Sequence, residues 1–364
     1  MAELPDAMAQ LGLRAPFVVT DPFLHQSGMV DGLADRLAAA GMAMRLFSDT
    51  VSDPTTGTID AALAALHGGA HDCVIGFGGG SPIDTAKLVA MLATNPMPHD
   101  AMKVPAVLDR PGLPIIAVPT TAGTGSEATR VAVVTNDATN EKMLCGGLAL
   151  LPSIAIVDYE LTLSCPKRLS ADTGIDSLTH AIEAFVSRRA NGFSDAMALS
   201  AMRLITPNIR RACSHGDDHE ARAAMMLGAH HAGLAFSNAS VALVHGMSRP
   251  VGAFFHVPHG LSNAMLLPVV TAYSAPAALG RYAICARTMG VAAEGEGDQA
   301  AVARLLAALE ELNHDLAVPT PQSYGIDAAE WERLIPTMAQ QAIESGSPGN
   351  NPRDADATAI AQLY

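Results

Sequence analysis

The sequence predicts an N-terminal α/β domain, doubly wound around a mostly parallel sheet, followed by an all-α C-terminal domain. Three observations carry this. Short apolar runs alternate with helical patterns up to about residue 160. Strand signals then fade and alanine-rich helical stretches take over. The pattern breaks at Leu163-Ser-Cys-Pro166, which puts the boundary at residues 163/164. Regular strand–helix alternation argues for parallel strands joined by crossover helices. The length of 364 residues fits two domains at roughly 150 residues each.

Taken in order, residues 16–20 read as a buried strand and 30–40 as a helix. Residues 44–47 read as a second strand, 59–67 as a helix, and 73–77 as a third strand. Residues 83–94 are helical, 114–118 are again a buried strand, and 131–134 and 154–157 add late strands. Helices are expected over 171–187, 195–211, 219–231, 278–288 and 300–312. There is no internal repeat and no low-complexity segment. Ligands are expected in the cleft between domains, at the carboxyl ends of the parallel strands.

Composition narrows the function. At 49% hydrophobic and 16% charged, the chain can bury a large core, which excludes intrinsic disorder. A net charge of −14 opposes nucleic-acid phosphates and anionic membrane surfaces. No basic, apolar leader opens the sequence, and the five cysteines are odd in number and form no CxxC pair. These features point to reduced thiols in the cytoplasm. Residues 223–248 contain no Asp, Glu, Lys or Arg. His230, His231, Asn238 and His245 within that run make it a buried helix or helix pair, not a membrane span.

The segment GFGGGSPIDTAK, residues 76–87, follows a strand and opens a helix. Gly78, Gly79 and Gly80 allow close backbone approach to a ligand. Ser81 reads as the N-cap, Pro82 as the first helical residue, and Asp84 as the acid closing a capping box. A helix N-terminus behind glycines offers free N–H donors and a positive dipole end to a phosphate. A plain tight turn into a capped helix is the other reading. The segment is neither a Walker loop nor GxGxxG, so it does not by itself name a cofactor. A second small-residue loop, residues 119–127, follows another buried strand and could serve the same ligand. Asp21, ending the first strand, reads either as a ribose-binding acid or as a turn residue before Pro22.

In the helical half, Asp176 and His180 stand four apart and project from one helix face. Ile175, Leu178, Ile182 and Phe185 put that pair at the edge of a buried face. His245 and His259 follow, the latter in a Val-Pro-His-Gly turn. One carboxylate and three imidazoles suit Fe²⁺ or Zn²⁺. Spacing alone also allows core histidines or helix caps.

Four ordered segments, GFGGGSPIDTAK (76–87), PTTAGTGSEAT (119–129), GIDSLTHAIEAFVS (174–187) and VHGMSRPVGAFFHVPHG (244–260), resemble the iron-containing, group III alcohol dehydrogenases. The resemblance runs over nearly the whole chain. It implies a nucleotide-binding domain, a helical domain, and one divalent metal on Asp176, His180, His245 and His259. It implies that Gly78, Gly79, Gly80 and Ser81 hold the NAD(P) pyrophosphate, with Asp84 among the cofactor-binding residues. Thr120, Thr121, Thr124 and Thr129 match a second nucleotide-contacting stretch, and Lys142 falls near a ribose-contacting lysine. Asp21 matches the acid that reads the adenosine ribose and favours NAD over NADP. Phe236 falls where that family places an aromatic beside the substrate. Where the family usually carries a second histidine, this sequence has Arg249. It reads as a substrate-carboxylate clamp or as a salt bridge closing the domain cleft. His256 reads as a proton relay or a packed structural histidine. The sequence starts close to its first strand and stops at Tyr364, short of the usual family ends. That bears on the expected homodimer or higher homo-oligomer, because the N-terminal segment often joins subunits there.

The implied chemistry is hydride transfer between a small primary alcohol and its aldehyde, with short hydroxy acids or semialdehydes among the substrates. Partners are then small molecules, with no nucleic acid and no membrane. The alternatives are a maleylacetate reductase-like enzyme, or a relative of dehydroquinate synthase or glycerol dehydrogenase.

Overall fold

The computed structural model describes residues 1–364. Two compact units form: Met1–Thr121 with Gly125–Leu161, and Ala122–Thr124 with Thr162–Tyr364.

The first unit holds strands β1 (Pro16–Val19), β2 (Arg45–Phe47), β3 (Cys73–Gly78), β4 (Ile115–Pro119), β5 (Val131–Asn136), β6 (Glu141–Gly146) and β7 (Ile154–Ala155). Its helices are α1 (Leu4–Gln10), α2 (Pro22–Gln26), α3 (Met29–Ala39), α4 (Thr56–His67) and α5 (Gly80–Leu92). Five strands make one parallel sheet in the order β2-β1-β3-β4-β7. Successive residues of a strand face opposite sides. Phe17, Val19, Val74 and Ile115 accordingly enter one core, and Val18, Ile75, Phe77, Ile116 and Val118 enter the other. Burial on both faces is why these strands read as unbroken apolar runs.

One strand was not legible. Residues 131–136 pair antiparallel with β6 in a separate two-stranded ribbon, not in the main sheet. Only Met143 and Cys145 of β6 are buried, so its apolar signal is thin.

The second unit is helical: α6 (Lys167–Val186), α7 (Gly192–Ile205), α8 (Ile209–Ser214), α9 (His219–Ala239), α10 (Leu243–Phe255), α11 (His259–Ser274), α12 (Leu279–Thr288), α13 (Asp298–Asp315), α14 (Pro321–Tyr324), α15 (Ala328–Glu344) and α16 (Ala357–Leu363). The expected single helix over 195–211 is two helices. Pro207 cannot donate an N–H, and the chain turns at 206–208 before resuming as α8. The uncharged run at 223–248 is divided between α9 and α10, and Ser240 between them holds φ +65°. No helix is long and apolar enough to cross a membrane. Buried on nearly all sides, α6 places Ile175, Leu178, Ile182 and Phe185 in the core of this unit.

Candidate functional site

Asp176, His180 and Glu183 lie at i, i+4 and i+7 of α6, one polar stripe on an otherwise apolar helix. All three are buried. Helix α10 adds His245 near its start, and α11 begins with His259. Three imidazole Nε2 atoms approach one carboxylate oxygen, Asp176 Oδ1: His245 at 3.4 Å, His180 at 3.8 Å and His259 at 3.9 Å. The donor atoms of Asp176, His180 and His245 all lie within 4.8 Å of one another. The side chain of His259 is 43% exposed, so the cluster is open on that side.

Two further residues organise the cluster. Glu183 accepts from His245 Nδ1 at 2.7 Å and from the backbone N–H groups of Ala242 and Val244 at 3.0 and 2.6 Å. This fixes the His245 tautomer and leaves its Nε2 lone pair facing Asp176. Buried Asn263 points its amide nitrogen at Asp176 Oδ1 (2.7 Å), His245 Nε2 (3.1 Å) and His259 Nε2 (3.3 Å). Two amide hydrogens cannot serve three acceptors. Neither residue was singled out from the sequence. Their signals are Glu183 at i+7 from Asp176 and Asn263 at i+4 from His259.

The electrostatics ask for a cation. Burial works to raise the Asp176 pKa, but His180, His259 and His245 hold it well below the usual carboxylate range. Burial pushes His180 down to about 3, so that ring is neutral. Burial also opposes a charge on His245, yet its bonds to Asp176 and Glu183 hold it up at about 9. A proton there does what a divalent ion would do between the same oxygen and nitrogen. The donor set therefore fits a divalent metal. Phe236 stacks on His180 with ring centroids 4.2 Å apart and 18° between planes.

Arg249 stands four residues after His245, half-buried, and donates to Ser347 Oγ at 3.1 Å. His256 is not in the cluster. It is exposed and closes α10 in the left-handed conformation, φ +53°. The proton-relay expectation for it has no geometric support, because its place is set by the helix ending there.

In the first unit, the loops after β1 and β3 flank the point where strand order reverses. Asp21 caps α2 by accepting from Leu24 N at 2.9 Å. Gly78 holds φ +152°, and an added Cβ would stand 2.5 Å from Pro82 Cγ, so only glycine fits. Gly79, Gly80 and Ser81 are partly exposed at the N-terminus of α5. Thr120 and Thr121 end β4 beside them: a Cβ at Gly79 would stand 3.5 Å from Thr121 Oγ1.

Several expectations need correction here. Gly79 is the cap of α5, with no side-chain cap bond, so Ser81 is not the N-cap and no capping box forms. Asp84 accepts from Ser126 Oγ (2.6 Å) and Val133 N (2.9 Å), and burial raises its pKa against the nearby Lys87 charge. Lys87, fully buried, donates to Thr129 Oγ1 (3.0 Å) and Val131 O (2.7 Å). Asp84 and Thr129 thus belong to an internal brace. Lys142 pairs with Asp53 at 2.9 Å. Thr124 falls in the second unit: residues 122–124 are tied to α6 by Ser177 Oγ, which donates to Gly123 O at 3.0 Å.

Against known proteins, residues 1–159 match the family model "Iron-containing alcohol dehydrogenase", and 170–364 match "Fe-containing alcohol dehydrogenase family, C-terminal". Lactaldehyde reductase of Escherichia coli K12 is 36% identical over 363 residues, covering 99% of this chain and 94% of that protein. The crystal structure of a 1,3-propanediol oxidoreductase superposes with TM-score 0.95 at 34% identity, covering 100% and 94% of the two chains. Sulfoacetaldehyde reductase of Bifidobacterium kashiwanohense, solved in complex with NAD⁺, superposes with TM-score 0.89 at 28% identity, covering 100% and 93%.

Proposed function

The chain belongs to the iron-containing alcohol dehydrogenase family and is an alcohol/aldehyde oxidoreductase; we propose that it works with NAD and one divalent metal on small primary alcohols and their aldehydes. The observation that carries the metal is the meeting of three Nε2 atoms on Asp176 Oδ1, with His245 backed by Glu183. The named relatives act on aldehydes and alcohols, which does not favour the maleylacetate reductase-like or dehydroquinate synthase-like alternatives.

Asp176, His180, His245 and His259 would hold the ion, and three nitrogens with one oxygen suit Fe²⁺ and Zn²⁺ alike. When bound, such an ion supplies a Lewis acid for the substrate oxygen, and the nicotinamide supplies the hydride partner. The rest falls to side chains. Asp176 stays ionised and His180 stays neutral across the working pH range, so both keep lone pairs available. Glu183 orients His245, and the Phe236 ring stacks on His180. His259, open to solvent, marks the side from which substrate enters.

NAD is supported by the neighbour bearing NAD⁺ and by the loops of the first unit. Gly79, Gly80 and Ser81 would offer backbone N–H groups to the pyrophosphate at the head of α5. Thr120 and Thr121 would line the same ligand. Asp21 would accept from the ribose hydroxyls and repel a 2′-phosphate. The first unit is then the nucleotide-binding domain, and the second the metal and substrate domain. Five free cysteines fit a reducing cytoplasm, and a homodimer is the expected assembly.

The test is NADH oxidation with a panel of short aldehydes, using protein stripped by a chelator and reloaded with Fe²⁺ or Zn²⁺. Turnover should return with metal in the wild type and not in Asp176→Ala. Turnover that ignores metal would overturn the metal role, and turnover with NADPH alone would overturn NAD.

A further inference from the structure

We infer that Arg249 is a substrate-binding arm for a carboxylate, so that the preferred substrates are short aldehydes and alcohols bearing a carboxylate at the far end. This deepens the oxidoreductase reading above and rests on it.

Arg249 stands out among the arginines of the helical unit. Elsewhere in the helical unit, each buried or half-buried guanidinium has either an ion pair or several hydrogen bonds. Arg210 pairs with Asp315, Arg281 with Asp195 and Arg287 with Asp298. Arg222, without a carboxylate, donates to Ser170 Oγ, Gly216 O and Cys165 O at 2.7, 2.9 and 3.3 Å. Arg249 has one bond, to the neutral hydroxyl of Ser347, and no ion pair. Burial draws its pKa below the ordinary guanidinium value, with only the charge of Glu183 opposing. Glu183 is itself already engaged with Ala242 N, Val244 N and His245 Nδ1. A guanidinium presents five donors in a planar fork. Removing it from water without a partner is costly. A planar anion that engages two donors at once is the natural complement.

Position says where that anion comes from. Residues four apart on a helix lie about 40° apart around its axis. Arg249 is therefore one turn beyond His245 on nearly the same face. On its other side, Gly246 packs so closely on the turn Ser347–Asn350 that an added Cβ would stand 2.8 Å from Pro348 Cγ. Around the helix axis, Arg249 therefore falls between this wall and the face that carries His245. The proposed substrate puts its oxygen at the ligand cluster and its carboxylate, a few carbons away, at the guanidinium.

The test compares kcat/KM for succinic semialdehyde with that for butanal, a neutral aldehyde of the same length, in wild type, Arg249→Gln and Arg249→Lys. The wild type should favour the anion. Arg249→Gln should cut the anion-to-neutral ratio about 100-fold, mainly through KM, and Arg249→Lys should keep part of it, as expected for a charge-assisted hydrogen bond. A ratio unchanged in Arg249→Gln overturns the inference even if both rates fall. So does a wild type that reduces butanal and ignores succinic semialdehyde. Calorimetry of butyrate binding to metal-free protein gives an answer independent of turnover. Binding in the wild type that is lost in Arg249→Gln supports the arm, and equal binding refutes it. If no aldehyde is reduced with any metal, the oxidoreductase reading fails, and the butyrate titration still decides Arg249.

Discussion

Two buried polar clusters invite comparison. In the first unit, Lys87, Asp84, Ser126 and Thr129 brace the helix behind the glycine loop. In the second, Asp176, His180, His245 and His259 meet beside Glu183 and Asn263. Both are buried and both shift pKa values. The first is closed: each charge has partners within the cluster, and donors match acceptors. The second is open: three imidazole lone pairs and a carboxylate converge, and one amide cannot satisfy them. Buried polarity alone does not mark a site; an excess of acceptors aimed at one point does.

Breaking the open cluster should give the largest effect. Asp176→Ala removes the one carboxylate among the proposed ligands, and activity should fall at least about 1,000-fold, with metal content lost in parallel. The closed cluster should show itself through stability. Lys87 keeps its proton to 10.5 as a free side chain but only to about 8 when folded, because burial disfavours the charge. Between those values the unfolded chain binds more protons, so wild-type stability should rise with pH, by up to about 3 kcal/mol. In Lys87→Met that rise should vanish, as read from urea midpoints at pH 7.5 and 10.5. A retained rise would mean that Lys87 is not the group responsible.

Glu183→Gln should sharpen the contrast without removing a ligand. With the carboxylate behind His245 neutralised, metal affinity measured by chelator competition should fall about 10- to 100-fold. An unchanged affinity would reduce Glu183 to a helix-capping role. The smallest effect is expected at His256, outside both clusters. Asparagine tolerates the left-handed backbone there, so His256→Asn should alter kcat/KM less than about twofold.

The same contrast explains what the sequence revealed. Strands β1, β3 and β4 were legible because burial on both faces leaves an unbroken apolar run. Three of the four proposed ligand positions sit in local patterns, the i, i+4 pair on α6 and the turn before His259. Their assignment as a set came from the resemblance of four ordered motifs. Partners distant in sequence were not legible. Asp84 reads locally as a capping acid, yet its oxygens are taken by Ser126 and Val133, 42 and 49 residues away. Glu183 looks like one more helical glutamate until α10, about 60 residues on, delivers three donors to it. Pro82 is at home anywhere in a first helical turn, so it could not place the cap, which falls on Gly79 after the positive-φ turn at Gly78.

The central claim is that the open cluster is a metal centre. Its most direct test is titration of metal-free protein with Zn²⁺, or anaerobically with Fe²⁺, counting ions bound per chain by elemental analysis after gel filtration. One tightly held ion per chain is expected in the wild type and none in Asp176→Ala or His245→Ala, with all three proteins folded. A wild type that retains no ion, or an Asp176→Ala variant that retains a full one, would contradict it.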